Sequence, residues 1–175
     1  TTMTANTPTV GTGLWTLISG SGTITNPTLP NTTITGLALG TNIFEWTISN
    51  LPCTSSSATM AIIVNDVPTI SNAGASQTIC ISNPNTIMAA NAPTVGTGLW
   101  TLVSGSGAIS NPTLATTNIT GLGLGTNIFQ WTISNLPCAA SSSTMSIIVE
   151  DMPTVSTAGT TQTLCISTPT TVMTA

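Results

Sequence analysis

The chain contains no lysine, arginine, histidine or tyrosine, and four acidic residues give it a formal net charge of −4. Each absence removes a class of chemistry. Without a cationic side chain there is no P-loop lysine, Schiff base, arginine clamp or side-chain salt bridge, and no groove that could neutralise phosphates, so no nucleic-acid partner is expected. Without histidine there is no imidazole base and no ordinary zinc or copper site. Serine and threonine abound, but no activating base accompanies them, and no carboxylate pair is brought together by the sequence. Neither catalysis nor a cofactor is therefore expected.

Long apolar runs are missing as well. The longest aliphatic stretch, Ala61-Ile62-Ile63-Val64, is far short of the ~18 residues a membrane helix requires, so no direct membrane span is expected in this segment. Thr1-Thr2-Met3 opens the chain with neither a positive n-region nor an apolar h-region. No signal peptide is read there, and targeting information is expected outside this segment.

What is present is apolar and uncharged: 40% hydrophobic residues against 2% charged. Disordered chains show the reverse balance, so a folded chain is expected. Threonine (39) and serine (19) together supply 58 of 175 residues, a third of the chain. That content, with the glycine and proline, disfavours helix.

An internal repeat organises everything else. Sliding the chain along itself until Thr1 falls on Thr86 superposes Trp15 on Trp100, Trp46 on Trp131, Cys53 on Cys138, Cys80 on Cys165 and Asp66 on Asp151 without a gap, with 61 of 85 positions identical. A period this long suits small domains in tandem better than solenoid units of about 20–50 residues. Residues 171–175 begin a third copy, which reads as a window on a longer array.

Within each copy, Thr41–Ser49 alternates so that Phe44, Trp46 and Ile48 share a face opposite Glu45 and Thr47. That is the pattern of a half-buried strand. Thr59–Val64 places Met60, Ile62 and Val64 together in the same way, and its β-branched residues favour strand. Further strands are expected at Leu14–Ile18 (Trp15 and Leu17 inward), Thr32–Leu37 and Thr86–Ala90, separated by GTG, SGSG, NPT, GLALGTN and NLPC turns. Short strands with such punctuation predict an all-β fold of tandem antiparallel β-sandwich domains in an 85-residue repeat. The expected core is Trp15, Phe44, Trp46, Ile48, Met60, Ile62 and Val64, with the copies Trp100, Phe129, Trp131, Ile133, Met145, Ile147 and Val149. The break falls before Val67-Pro68 and Met152-Pro153. On that phase residues 67–151 are a complete domain, 1–66 lack their first strand or strands, and 152–175 start the next.

The order AGxxQTxC, ANxPTVGTGLWTLxSGSG, TGLxLGTNIFxWTISNxPC and a closing IIVxD resembles the tandem immunoglobulin-like or PKD-like repeats of giant Bacteroidota cell-surface proteins, including gliding-motility adhesins exported by type IX secretion. The resemblance covers the whole chain. It implies an extracellular, cell-attached, elongated protein, although the complete lack of lysine and arginine departs from most such repeats.

Two cysteines per repeat in a chain of that kind favour disulfides over free thiols. Cys80 with Cys138 is the default pairing, since both belong to the complete domain. A sandwich would put Cys80 near its first hairpin and Cys138 in its last hairpin loop, and a disulfide needs Cα atoms within about 7 Å. Bonds between domains or chains, involving Cys53 and Cys165 as well, and free thiols therefore stay open. Asp66, Glu150 and Asp151 at the strand ends are weak calcium candidates, because calcium takes about six to eight oxygens, and a local turn at the aspartate is the competing reading. Glu45 becomes Gln130 in the second copy, so it has no role that every repeat needs. The tryptophans could stack on sugars, but they lie on the apolar phase of their strands, which points to the core. Asn31-Thr32-Thr33 and Asn118-Ile119-Thr120 match the N-glycosylation sequon. The expected function is a structural segment of an extracellular filament or stalk-like surface adhesin, its partners neighbouring repeats and other copies in a fibre. Outward apolar residues such as Ile43, Ile63, Ile128 and Ile148 would serve lateral contacts. The alternative is a repeat-borne binding module for glycans or another cell surface.

Overall fold

The computed structural model describes residues 1–167 and 169–173 and is all-β. Its strands are β1 (Thr2–Met3), β2 (Thr12–Ser19), β3 (Thr23–Ile24), β4 (Thr32–Thr35), β5 (Gly40–Ser49) and β6 (Ser56–Val64). The second copy supplies β7 (Gln77–Cys80), β8 (Thr86–Ala89), β9 (Thr97–Ser104), β10 (Ala108–Ile109), β11 (Thr116–Thr120), β12 (Gly125–Ser134) and β13 (Ser141–Glu150). Each copy folds into two sheets: β2-β5-β6 with β1-β4-β3, then β7-β13-β12-β9 with β10-β11-β8. Neighbouring strands are antiparallel except β7 and β13, which run parallel. This is a two-sheet sandwich of immunoglobulin-like kind, and in the second copy β7 closes the edge of the β13-β12-β9 sheet.

The alternation seen in the sequence sets the core. Trp15 pairs directly with Trp46 across β2 and β5, and Trp100 with Trp131 across β9 and β12. Both pairs tilt at about 45° with ring centroids 5.2 Å apart, the separation favoured by aromatic quadrupoles. Trp15, Phe44 and Trp46 are buried in the first copy; Trp100, Phe129, Trp131, Ile133, Met145, Ile147 and Val149 are buried in the second. Met3, Ile34, Met88 and Ile119 close these cores from the facing sheet.

The copies differ along one flank. Ile48, Met60, Ile62 and Val64 are only half-buried, whereas their counterparts Ile133, Met145, Ile147 and Val149 are 0–3% exposed. In the second copy this flank is covered by the segment 67–81, whose equivalent for the first copy would fall before Thr1. Ser71 N–H donates to Ser141 Oγ, Ser146 N–H donates to Ser76 Oγ, and β7 runs along β13 from Gln77 to Cys80. That course presses Ala73 and Ile79 onto the core. The same difference decides a polar group. Trp131 Nε1 donates to Asn91 O at 3.1 Å, and Asn91 is held through Ile70 O and Asn72 N. Trp46 Nε1 is buried without an acceptor.

One inward and three outward assignments need correction. Leu17 is 41% exposed, because edge strand β2 bulges between Leu17 and Ser19 and loses its register with β5. Of the residues expected on the outer face, Ile63 is 64% exposed, but Ile43, Ile128 and Ile148 are only half-buried. Residues 152–173 carry no strand among the described residues and lie exposed. The concavity bordered by Ala158, Leu164 and Met173 is the inner face of this unpartnered segment, since their counterparts Ala73, Ile79 and Met88 all pack into the second core.

Candidate functional site

The site that the fold builds is the junction between the copies. Strand β6 ends at Val64, and the chain passes through Asn65, Asp66 and Val67 to Pro68, which is buried. By Thr69 it already belongs to the second copy: Thr69 N–H donates to Val95 O, and Thr69 Oγ1 accepts from the N–H groups of Thr94 and Val95. Proline fixes its own φ and holds the preceding residue extended, so almost no freely rotating backbone remains between the domains.

The turn joining β12 to β13 grips the end of the first copy from the other side. It is closed by Cys138 N–H donating to Asn135 O at 3.0 Å. Asn135 Nδ2 donates to Asp66 O at 2.8 Å, Asn65 Nδ2 donates to Leu136 O at 2.5 Å, and the Cys138 thiol approaches Asn65 O at 3.6 Å. A preorganised linker and a reciprocal asparagine clamp thus face each other across one junction. The matching turn of the first copy, Asn50–Cys53, keeps the same internal bond, with Leu51 90% exposed.

The cysteines are all free in this structure; Cys53, Cys80 and Cys165 are exposed and Cys138 is half-buried. The default Cys80–Cys138 bond does not fit the fold. Cys80 lies opposite Glu150 at one end of β13, while Cys138 precedes Ser141 at the other end. The length of β13 separates the ends by about 30 Å, against the ~7 Å a disulfide spans. Hydrogen bonding by the Ser82 hydroxyl, and then by its backbone, lowers the Cys80 thiol from its ordinary pKa, and Ser167 acts in the same way on Cys165.

The acidic candidates do not converge. Asp66 Oδ1 accepts from Val67 N–H and Asp151 Oδ1 from Met152 N–H, both at 2.8 Å, so each aspartate shapes its own turn. Glu150 lies at the end of β13, and Glu45 sits on β5 opposite Thr16 and Thr59. No group of three His, Cys, Asp or Glu side chains comes together among the described residues. The four tryptophans are at most 4% exposed and offer no stacking platform for a sugar. The sequon asparagines Asn31 and Asn118 are exposed. No helix among the described residues is long and apolar enough to cross a membrane.

The sequence contains no side chain with an ordinary pKa between about 5 and 8 and no side-chain cation to form an ion pair. The proton-linkage and screening terms that usually tie stability to conditions are therefore nearly absent. Differential scanning calorimetry is expected to give melting temperatures that are almost flat from about pH 5 to 8 and indifferent to moderate salt. A marked fall on adding a calcium chelator would show that a bound cation supports the fold.

Sequence reasoning missed the asparagines. Asn42 and Asn127 are 0–1% exposed in the middle of a face otherwise filled by aromatic and aliphatic groups. Asn127 Oδ1 accepts from Ser106 N–H at 2.8 Å, and its Nδ2 donates to Gly123 O at 2.9 Å, with Gly125 O and Ile147 O at 3.3 Å. The signal was an asparagine, a poor strand former, repeated inside a strongly alternating strand.

No protein-family model matches the chain, and a search of curated proteins finds no match. Among solved structures it is similar to the PKD domain from the KIAA 1837 protein, with 20% identity and a TM-score of 0.44, covering 50% of this chain and 91% of that one. A PKD domain of human KIAA0319 gives 18% identity and a TM-score of 0.42, over 51% of this chain and 88% of that chain. The tandem Ig repeats of Dlar align over 80% of this chain and 82% of theirs, with 15% identity and a TM-score of 0.39.

Proposed function

We propose that the chain is a structural segment of an extracellular filament or stalk-like surface adhesin, in which sandwich repeats stack end to end into a stiff fibre at the cell surface, with residues 67–151 as the repeating unit. The observation that carries this reading is the junction. A short connection from Asn65 to a buried proline is clamped by Asn65 and Asn135 across the domain boundary. The near-identity of the copies supports it, because a scaffold gains from repetition where a single receptor site would not. A surface with almost no charge favours association, which suits a fibre. The sequence resemblance to Bacteroidota surface repeats, gliding adhesins among them, points the same way.

The junction provides the test. Small-angle scattering of the chain is expected to show an extended particle with one preferred angle between its two domains. Asn135→Ala together with Asn65→Ala removes both clamp donors and is expected to broaden the distance distribution while leaving the circular dichroism spectrum unchanged. Freely jointed domains in the unaltered chain would refute the stiff-fibre reading.

A further inference from the structure

We propose that consecutive repeats are locked together by a disulfide between the β7 cysteine of one repeat, represented by Cys80, and the β12–β13 turn cysteine of the following repeat, represented by Cys138. The inference rests on the stacked-repeat reading and adds a covalent bond to it.

The two ends of the repeat can be superposed on the one junction present. In the complete copy, Cys80 is the register partner of Glu150, and the next residue, Ile81, donates its N–H to Glu150 O at 2.9 Å. Glu150 is the second-copy counterpart of Asn65. At the junction, the group found on the equivalent carbonyl, Asn65 O, is the Cys138 thiol at 3.6 Å. A carbonyl oxygen has two lone pairs and can accept from both donors. One carbonyl is therefore approached from within its own repeat by the residue following the β7 cysteine, and from the next repeat by the turn cysteine.

Parallel strands lie about 4.8 Å apart, so the β7 cysteine backbone sits at that distance from the strand end whose carbonyl the turn thiol approaches, which brings the two cysteines to the same strand end. The side chain is available, because Cys80 is exposed while Ile79 beside it packs on the core. At a Glu150 junction the contacts made to the backbone carbonyls of Asn65 and Asp66 have equivalents in Glu150 and Asp151, whereas the side-chain donation from Asn65 to Leu136 O is lost. The pairing also accounts for two cysteines about 30 Å apart in each repeat: each serves a different neighbour. Cys138 would receive the β7 cysteine of a complete preceding repeat, and Cys80 the turn cysteine of a following one.

The chemistry balances with a glutathione disulfide as oxidant. The Cys80 thiolate, favoured by the Ser82 hydrogen bonds, attacks one glutathione sulfur, breaks the S–S bond and releases a glutathione thiolate. The turn cysteine thiolate of the next repeat then attacks the Cys80 sulfur of the mixed disulfide and releases the second glutathione. Two protein thiols are oxidised, one glutathione disulfide is reduced to two glutathiones, and the two thiol protons pass to the released thiolates.

The test extends the chain by a further copy of residues 91–175 placed after Ala175, which continues the repeat in phase. The folded protein is equilibrated in a glutathione redox buffer, alkylated, denatured and cleaved before aspartate; trypsin is useless on a chain without lysine or arginine. The fragment beginning at Asp66 carries both Cys80 and Cys138. It is expected to stay joined to the fragment beginning at Asp151 until reductant is added, and Cys80→Ser should abolish the link while Cys53→Ser leaves it intact. Release of the Asp66 fragment with two hydrogens fewer would mean an intradomain bond, and full alkylation would mean none; either overturns the proposal. Scattering of the same protein, oxidised and reduced, separates the two claims. A rod without the bond sinks the disulfide alone, and flexibly jointed domains sink the stacking.

Discussion

Trp131→Ala is expected to lower the stability of the 67–151 domain by about 4 kcal/mol, within the range found for buried tryptophans truncated to alanine. Trp131 is fully buried, pairs with Trp100 across the sheet and donates its indole N–H to Asn91 O. Gly98 shows how tightly the ring is held: a Cβ added there would meet Trp131 Cζ2 at 2.1 Å, so the ring lies on bare backbone and the strand has no side chain to fill a void. Amide hydrogen exchange resolved by peptide is the suitable measurement, because a two-domain chain need not unfold in one transition. Protection in β12 and β13 should fall by roughly three orders of magnitude, at about 1.4 kcal/mol per tenfold. The conservative pair refines the point. Trp131→Phe should cost more than Trp46→Phe, since only Trp131 gives up a hydrogen bond. Equal losses would mean that the Asn91 contact contributes nothing.

Asn127→Ala is expected to destabilise the same domain by about 3 kcal/mol through its polar contacts, despite the small loss of volume. The side chain satisfies Ser106 N–H on one side and Gly123 O and Ile147 O on the other, tying the turn after β9 to the loop before β12 and to β13. Gly105, at φ +89, lets the backbone come so close that a Cβ would sit 2.5 Å from Asn127 Oδ1. Removing the amide leaves Ser106 N–H, Gly123 O and the buried Ile147 O without this partner. Asn127→Asp separates shape from donation, because it keeps the acceptor for Ser106 but loses both donors. It is expected to be at least as harmful as alanine in urea denaturation at neutral pH. A near-neutral result for either variant would show that the turn is held by its glycines alone.

Much of the fold is legible in the residues. Phe44, Trp46 and Ile48 alternate with polar neighbours, and Phe129, Trp131 and Ile133 do so again in the second copy, so the long central strands β5 and β12 and their inward faces follow from period two. The reading fails where local pattern and burial separate. Leu17 has the right phase but lies beside a bulge on an edge strand, and β7 carries too few apolar residues to announce a parallel partner as remote in the chain as β13. Asn42 and Asn127 read as interruptions of a strand, and only the turn folded against them shows that they are its anchors. Half of the candidate site was visible, in Val67-Pro68 and its copy. The clamp was not, because Asn65, Asn135 and Cys138 look like ordinary loop residues until the chain brings them together.

What the sequence by itself determined is the chemistry this protein lacks and the unit it repeats. Charge of positive sign, imidazole and phenol are absent whatever the fold, and a near-identical repeat with alternating strands demands small β-domains in series, because each copy has to bury its own apolar face. The tertiary structure alone decided which segment covers the flank of the second domain, that the Trp131 indole N–H finds Asn91 O, and that the Cys138 turn meets the end of the preceding copy. Those outcomes depend on contacts between residues far apart in the chain, such as Ser71 with Ser141 and Asn65 with Cys138. A strand's own alternation shows which face turns inward but carries no information about which distant segment will lie beside it.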